Sequence, residues 1–164
     1  MTKNKPNQGA RKTEALTLRL DPKVRFLIDL IARQKRQSIT GVIESAIEVY
    51  ATNFLIEADL WDEETEEDKL QQVSLYKLSK EIYSTDDSLR FMMLVWCCPR
   101  LLSYEEVRLK ETIYESKIFW DQYPHSVNSR EDIDIDVLRE HWVSLLKHVD
   151  EYKSSPTVVP YKPI

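Results

Sequence analysis

Leu16, Leu18 and Leu20 alternate with Ala15, Thr17 and Arg19, and the alternation stops at Asp21-Pro22. In an extended backbone this puts three leucines on one side and Ala, Thr and Arg on the other. Asp21-Pro22 is a helix-start signal. The carboxylate can accept a first-turn N–H, and the proline's missing N–H would have had no helical acceptor there. Val24, Leu27, Ile28 and Ile31 then recur at helical spacing, with Phe26 and Leu30 widening the apolar stripe. The polar run Arg33-Gln34-Lys35-Arg36-Gln37 separates this helix from a second one. Ser38 or Thr40 opens it, and Val42, Ile43, Ala46, Ile47, Tyr50 and Phe54 form its inner face. A lone strand ahead of two helices leaves its backbone groups unsatisfied. The pattern therefore predicts that the strand pairs with that of a second copy, leucines inward on the helices, Thr17 and Arg19 outward.

These residues resemble the ribbon-helix-helix family of bacterial repressors and antitoxins. The resemblance rests on the strand Leu16-Thr17-Leu18-Arg19-Leu20, the Asp21-Pro22 start and the turn Ser38-Ile39-Thr40, and covers residues 12–54. Lys12-Thr13-Glu14 resembles antitoxins that partner acetyltransferase toxins. The resemblance implies a dimer whose two-stranded ribbon enters the major groove of double-stranded DNA. It implies that Ala15, Thr17 and Arg19 face the bases. Arg19 suits a guanine, and Ala15 can offer only an apolar contact, as to a thymine methyl. The amides of Ser38, Ile39 and Thr40 would anchor phosphate, joined by Arg11, Lys12 and Lys23. The sequence departs from the family at the interhelix turn, where Arg36 or Gln37 stands in place of the usual glycine.

Charge divides the same way. The chain carries −5 overall, but residues 1–54 hold ten Lys or Arg against five acids, a surplus of +5, leaving −10 for the remainder. A basic module joined to an acidic one suggests nucleic-acid binding coupled to a second role. Residues 1–11 read as a flexible basic arm. Residues 55–68, with eight acids between Glu57 and Asp68, read as a linker or the start of the next helix.

Residues 69–153 contain no glycine and most of the chain's aromatics, which argues against a disordered tail. Four helical patterns are expected: over residues 67–83; from near Asp86 to the stop at Pro99; from the Ser103-Tyr-Glu-Glu106 capping box to about Trp120; and from roughly Ile133 to Tyr152. In the last, Leu138, Trp142, Leu145, Val149 and Tyr152 form a seam for a helical bundle or a symmetry mate. The expected fold is thus mainly α, an N-terminal ribbon-helix-helix (one strand, two helices, dimeric) followed by an all-α domain and an extended tail over residues 154–164.

Catalytic motifs are missing from the sequence: no Gly-rich phosphate loop, no His-Glu-x-x-His and no nucleophile elbow. His141 and His148, seven apart on one helix, are too distant to share a metal. Adjacent Cys97 and Cys98 read as buried thiols. No metal, cofactor or catalytic residue is expected. The amino terminus has no apolar signal region and no segment is long enough to span a membrane, which points to a cytoplasmic protein. The function expected is a homodimeric transcriptional regulator, a repressor, with a C-terminal region that oligomerises or binds a protein partner through residues 69–153. The alternatives are an antitoxin, an accessory DNA-binding protein of plasmid transfer or partition, and a pure interaction scaffold.

Overall fold

The computed structural model describes residues 17–62, 67–120 and 132–163. The chain divides into two compact units, Met1–Ile47 and Glu48–Ile164. The first carries α1 (Pro22–Lys35) and the opening of α2 (Ile39–Asn53), which runs on into the second. The second continues with β1 (Leu55–Asp62), β2 (Glu67–Ser74), α3 (Leu75–Ile82), α4 (Asp87–Cys97), α5 (Tyr104–Glu115) and α6 (Ile135–Glu151). Short 3-10 turns follow α4 and α5.

The second unit is organised around α4. Its sequence, DSLRFMMLVWC, is apolar nearly all round, the signature of a helix enclosed on several sides. Phe91, Met92 and Val95 enter a core shared with Leu109 and Ile113 of α5 and Leu138 and Leu145 of α6. Cys97, with Cys98 behind it, enters a second core built from Ala58 and Leu60 of β1, Val73 of β2 and Leu78 of α3. Both cysteines are buried and neither is in a disulfide. The seam of α6 also turns inward: Leu138 and Leu145 are fully buried and Trp142 packs against Phe91, ring centroids 5.7 Å apart. This seam therefore serves the chain's own core.

The last residues are extended but firmly held. The Arg108 guanidinium donates to the carbonyls of Tyr152, Ser155 and Thr157 at 2.7, 2.9 and 3.3 Å. The Tyr161 amide donates to the buried Ser116 hydroxyl at 2.7 Å, and its ring stacks on Phe119. Its phenol meets His141 Nδ1 at 3.1 Å and Ser144 Oγ at 2.8 Å, while His148 Nε2 donates to the Val159 carbonyl at 2.8 Å. The two histidines thus fasten the tail.

The structure corrects the expected fold in three places. Residues 17–20 form no strand, and the sheet follows the first two helices instead of preceding them. Alternating leucines give a segment an apolar side but no hydrogen-bonding partner; among the described residues strand pairing goes to β1 and β2. The N-terminal ribbon-helix-helix arrangement is therefore not the fold found. The second region, in turn, is not all-α. Residues 55–62, read as linker or helix start, are strand β1, and residues 67–74, read as the first helical turns, are β2. The register pairs Ile56 with Val73 and Ala58 with Gln71, so one face is buried and the other carries Glu57, Asp59 and Trp61. Leu70 and Val73 suggested a helix by their spacing of three. In a strand that odd spacing puts them on opposite faces, and Leu70 is exposed while Val73 is buried. Finally, α5 stops at Glu115, and a 3-10 turn covers Lys117–Phe119.

The other helix starts follow the sequence. Asp21 accepts from the Lys23 amide, Ser103 and Glu106 form the full capping box, and Asp134 accepts from the Val137 amide. Asp86 does more than cap α4. Its carboxylate accepts from the Ser88 hydroxyl at 2.6 Å and from the Ser88 and Leu89 amides, and it pairs with Arg139 of α6. The Ser88 hydrogen bond, with Arg139 and the Leu89 amide adding to it, holds this carboxyl down to about 2 despite partial burial. A depressed folded-state pKa contributes stability that is present above the ordinary carboxylate range and is lost as pH falls through about 2. Chemical denaturation between pH 5 and pH 2 should show that loss. Asp86→Ala should lower stability at pH 7 by about 1 kcal/mol, the usual value of an N-cap, and should flatten the acid limb. An unchanged acid limb in the variant would assign the loss to other groups.

Candidate functional site

The first unit holds the sequence-derived contact residues that fall within the described residues. Thr17, Arg19 and Lys23 are all exposed. Ala15, Arg11 and Lys12 lie outside the described residues. Ser38 and Thr40 are exposed and Ile39 is half-buried. Ser38 Oγ accepts from the Gly41 amide at 3.0 Å, and its carbonyl accepts from the Val42 amide at 3.0 Å. Those bonds leave the Ile39 and Thr40 amides in the first turn, ahead of the in-helix ladder, where an acceptor from outside can reach them.

The link between α1 and α2 is closed by a Schellman motif. The Gln37 amide donates to the Ala32 carbonyl at 3.0 Å and the Arg36 amide to the Arg33 carbonyl at 3.3 Å. Arg36 takes the left-handed conformation, φ 52° and ψ 42°, that this motif requires. It is the only described non-glycine residue with positive φ. The sequence's missing turn glycine is thus answered by an arginine held at a conformation that L residues adopt at a cost.

What sequence reading did not find is how little of this unit is closed. Val42 is its one buried hydrophobic residue among those described. Leu18, Leu20, Val24, Leu27, Leu30 and Ile31 are exposed, and so are Phe26 at 61% and Ile47 at 60%. Large apolar side chains exposed together on one unit often mark a surface that a partner covers, and a unit this small buries little of its own surface. Burying half of these side chains, each already partly covered, would contribute about 3–6 kcal/mol before the cost of association.

The second unit offers no catalytic constellation among the described residues. No three His, Cys, Asp or Glu side chains lie close enough there to hold a metal ion. Its ion pairs include exposed links between residues three apart in sequence, such as Arg90–Asp87 at 2.5 Å and Lys153–Asp150 at 2.8 Å. Arg100 instead joins the 3-10 turn after α4 to Glu57 of β1 at 3.0 Å. No described helix is long and apolar enough to cross a membrane. Comparison with family models, curated proteins and solved structures finds no match.

Arg36 provides a direct check on the turn. Arg36→Gly should raise stability by about 1 kcal/mol, because glycine enters the left-handed region without a Cβ penalty. Arg36→Val should lower it by at least as much. Chemical denaturation followed by circular dichroism measures both, and a destabilised glycine variant would contradict the geometry.

Proposed function

We propose that the chain is a homodimeric, sequence-specific DNA-binding regulator of transcription, acting as a repressor, and that residues 1–47 supply both the dimer contact and the DNA contact. The observation that carries this reading is the conjunction, in one short unit, of an open apolar surface and exposed basic and hydrogen-bonding side chains. The apolar surface calls for a second copy. The exposed Thr17, Arg19 and Lys23, with the first-turn amides of α2, offer the donors that phosphates and base edges accept. Arg19 presents a fork suited to guanine O6 and N7, and Thr17 a hydroxyl that can donate or accept. Lys23 and the Ile39 and Thr40 amides would hold the phosphate backbone.

The compact second unit weighs against the antitoxin alternative, in which the partner-binding tail folds on its target. Residues 48–164 build two cores within the chain itself.

The test starts with selection of a preferred duplex from a random pool, followed by fluorescence anisotropy. Arg19→Ala should weaken binding to the selected site by ~1–3 kcal/mol and relax preference at one position per half-site. Lys23→Ala should weaken all sequences about equally and reduce the salt slope by ~1. Failure to select any sequence, or an Arg19→Ala protein with unchanged affinity and preference, would overturn the reading.

A further inference from the structure

The tail beyond α6 is held as a bound peptide is held. Most of the grip falls on its main chain. Arg108 of α5 donates to the carbonyls of Tyr152, Ser155 and Thr157, and His148 of α6 donates to that of Val159. The Ser116 hydroxyl, just past α5, accepts from the Tyr161 amide. Pro156, Thr157, Pro160 and Lys162 are exposed, so few of the tail's own side chains are read. Main-chain hydrogen bonds for affinity, with a pocket for a chosen side chain, are how extended peptides are recognised.

The pocket takes Tyr161, which is buried. Its ring stacks on Phe119 with centroids 5.8 Å apart and meets the His148 ring edge-on at 5.5 Å. Its hydroxyl is read by one acceptor and one donor. A serine hydroxyl has a single hydrogen, and Ser144 donates its own to the His141 carbonyl at 2.9 Å. Ser144 Oγ therefore accepts from the phenol at 2.8 Å. The phenol's hydrogen is then spent, so His141 Nδ1 donates to the phenol oxygen at 3.1 Å. A phenylalanine in this place would leave both groups unmatched. The pocket selects tyrosine.

We propose that the seat formed by α5, the turn after it and α6 is a recognition site for an extended, tyrosine-bearing segment of a partner protein. The chain's own tail fills it in this structure, and the partner segment takes the tail's place. The chemistry of the partner follows from the occupant now seated: an extended main chain for Arg108, Ser116 and His148 to hold, and a phenol for Ser144 and His141. Tethering gives the tail an effective concentration of about a millimolar, so it screens the seat from weak ligands. The proposal stands independently of the DNA reading, since every residue it uses lies in the second unit.

The experiment uses the 164-residue chain and a fluorescein-labelled peptide with the sequence of residues 155–164, its binding read by anisotropy. Tyr161→Ala removes the tail's anchor and leaves the seat intact, so this variant should bind the peptide roughly tenfold more tightly than wild type while keeping its helical circular dichroism. Tyr161→Phe, which keeps the ring, should fall between the two. A peptide with phenylalanine in place of the tyrosine should bind the Tyr161→Ala protein roughly tenfold more weakly. Unlabelled wild-type protein, its tail docked on itself, should not displace the peptide. Binding no tighter to either variant than to wild type would overturn the proposal, as would equal binding of the two peptides. Loss of helical circular dichroism in Tyr161→Ala would make the tail part of the core and would also overturn it. Displacement by wild-type protein would make a second copy the occupant and end the partner reading.

Discussion

Apolar side chains have to leave water, and the two halves of this chain meet that constraint differently. In the second unit α4 is apolar around most of its circumference, and the chain closes on it from both sides. The hairpin and α3 cover Cys97 and its neighbours, and α5, α6 and the tail cover Phe91, Met92 and Val95. Asp86, at the head of α4, ties that helix to α6 through Arg139. Arg108 and Tyr161 lay the extended tail across the helical core. In the first unit Val42 alone is buried among the described hydrophobic residues.

This difference connects structure to the proposed activity. A unit that buries its own core can present a fixed surface. A unit that leaves apolar side chains exposed would complete its core by association. Association of two copies would also duplicate every exposed basic and hydrogen-bonding group of residues 17–40, which is the requirement for reading a two-fold DNA site. Dimerisation and DNA contact would then be one event, both drawing on the same residues.

Much of this was legible in the sequence wherever a local chemical rule decides the outcome. Asp21-Pro22, Asp86, Ser103 with Glu106, and Pro99 mark real helix boundaries because capping and proline geometry act within a few residues. In the seam of α6, Leu138 and Leu145 are buried, because apolar residues at helical spacing share one face. The hairpin was not legible. It lacks the glycine or asparagine turn that usually announces one, and its outer face is so acidic that Ile56, Ala58 and Leu60 were hidden among carboxylates. The alternation at residues 15–20 carried the opposite error: a strand pattern is no strand without a partner to receive its hydrogen bonds.

The central claim is that the first unit is completed by a second copy of the chain. Sedimentation equilibrium of the 164-residue chain over a wide concentration range tests it most directly. The account predicts a particle of twice the 19.4 kDa chain mass at micromolar concentration, shifted toward the monomer by Leu27→Glu in the exposed apolar stripe of α1. A single species at 19.4 kDa across the whole range, with helical content unchanged, would contradict it.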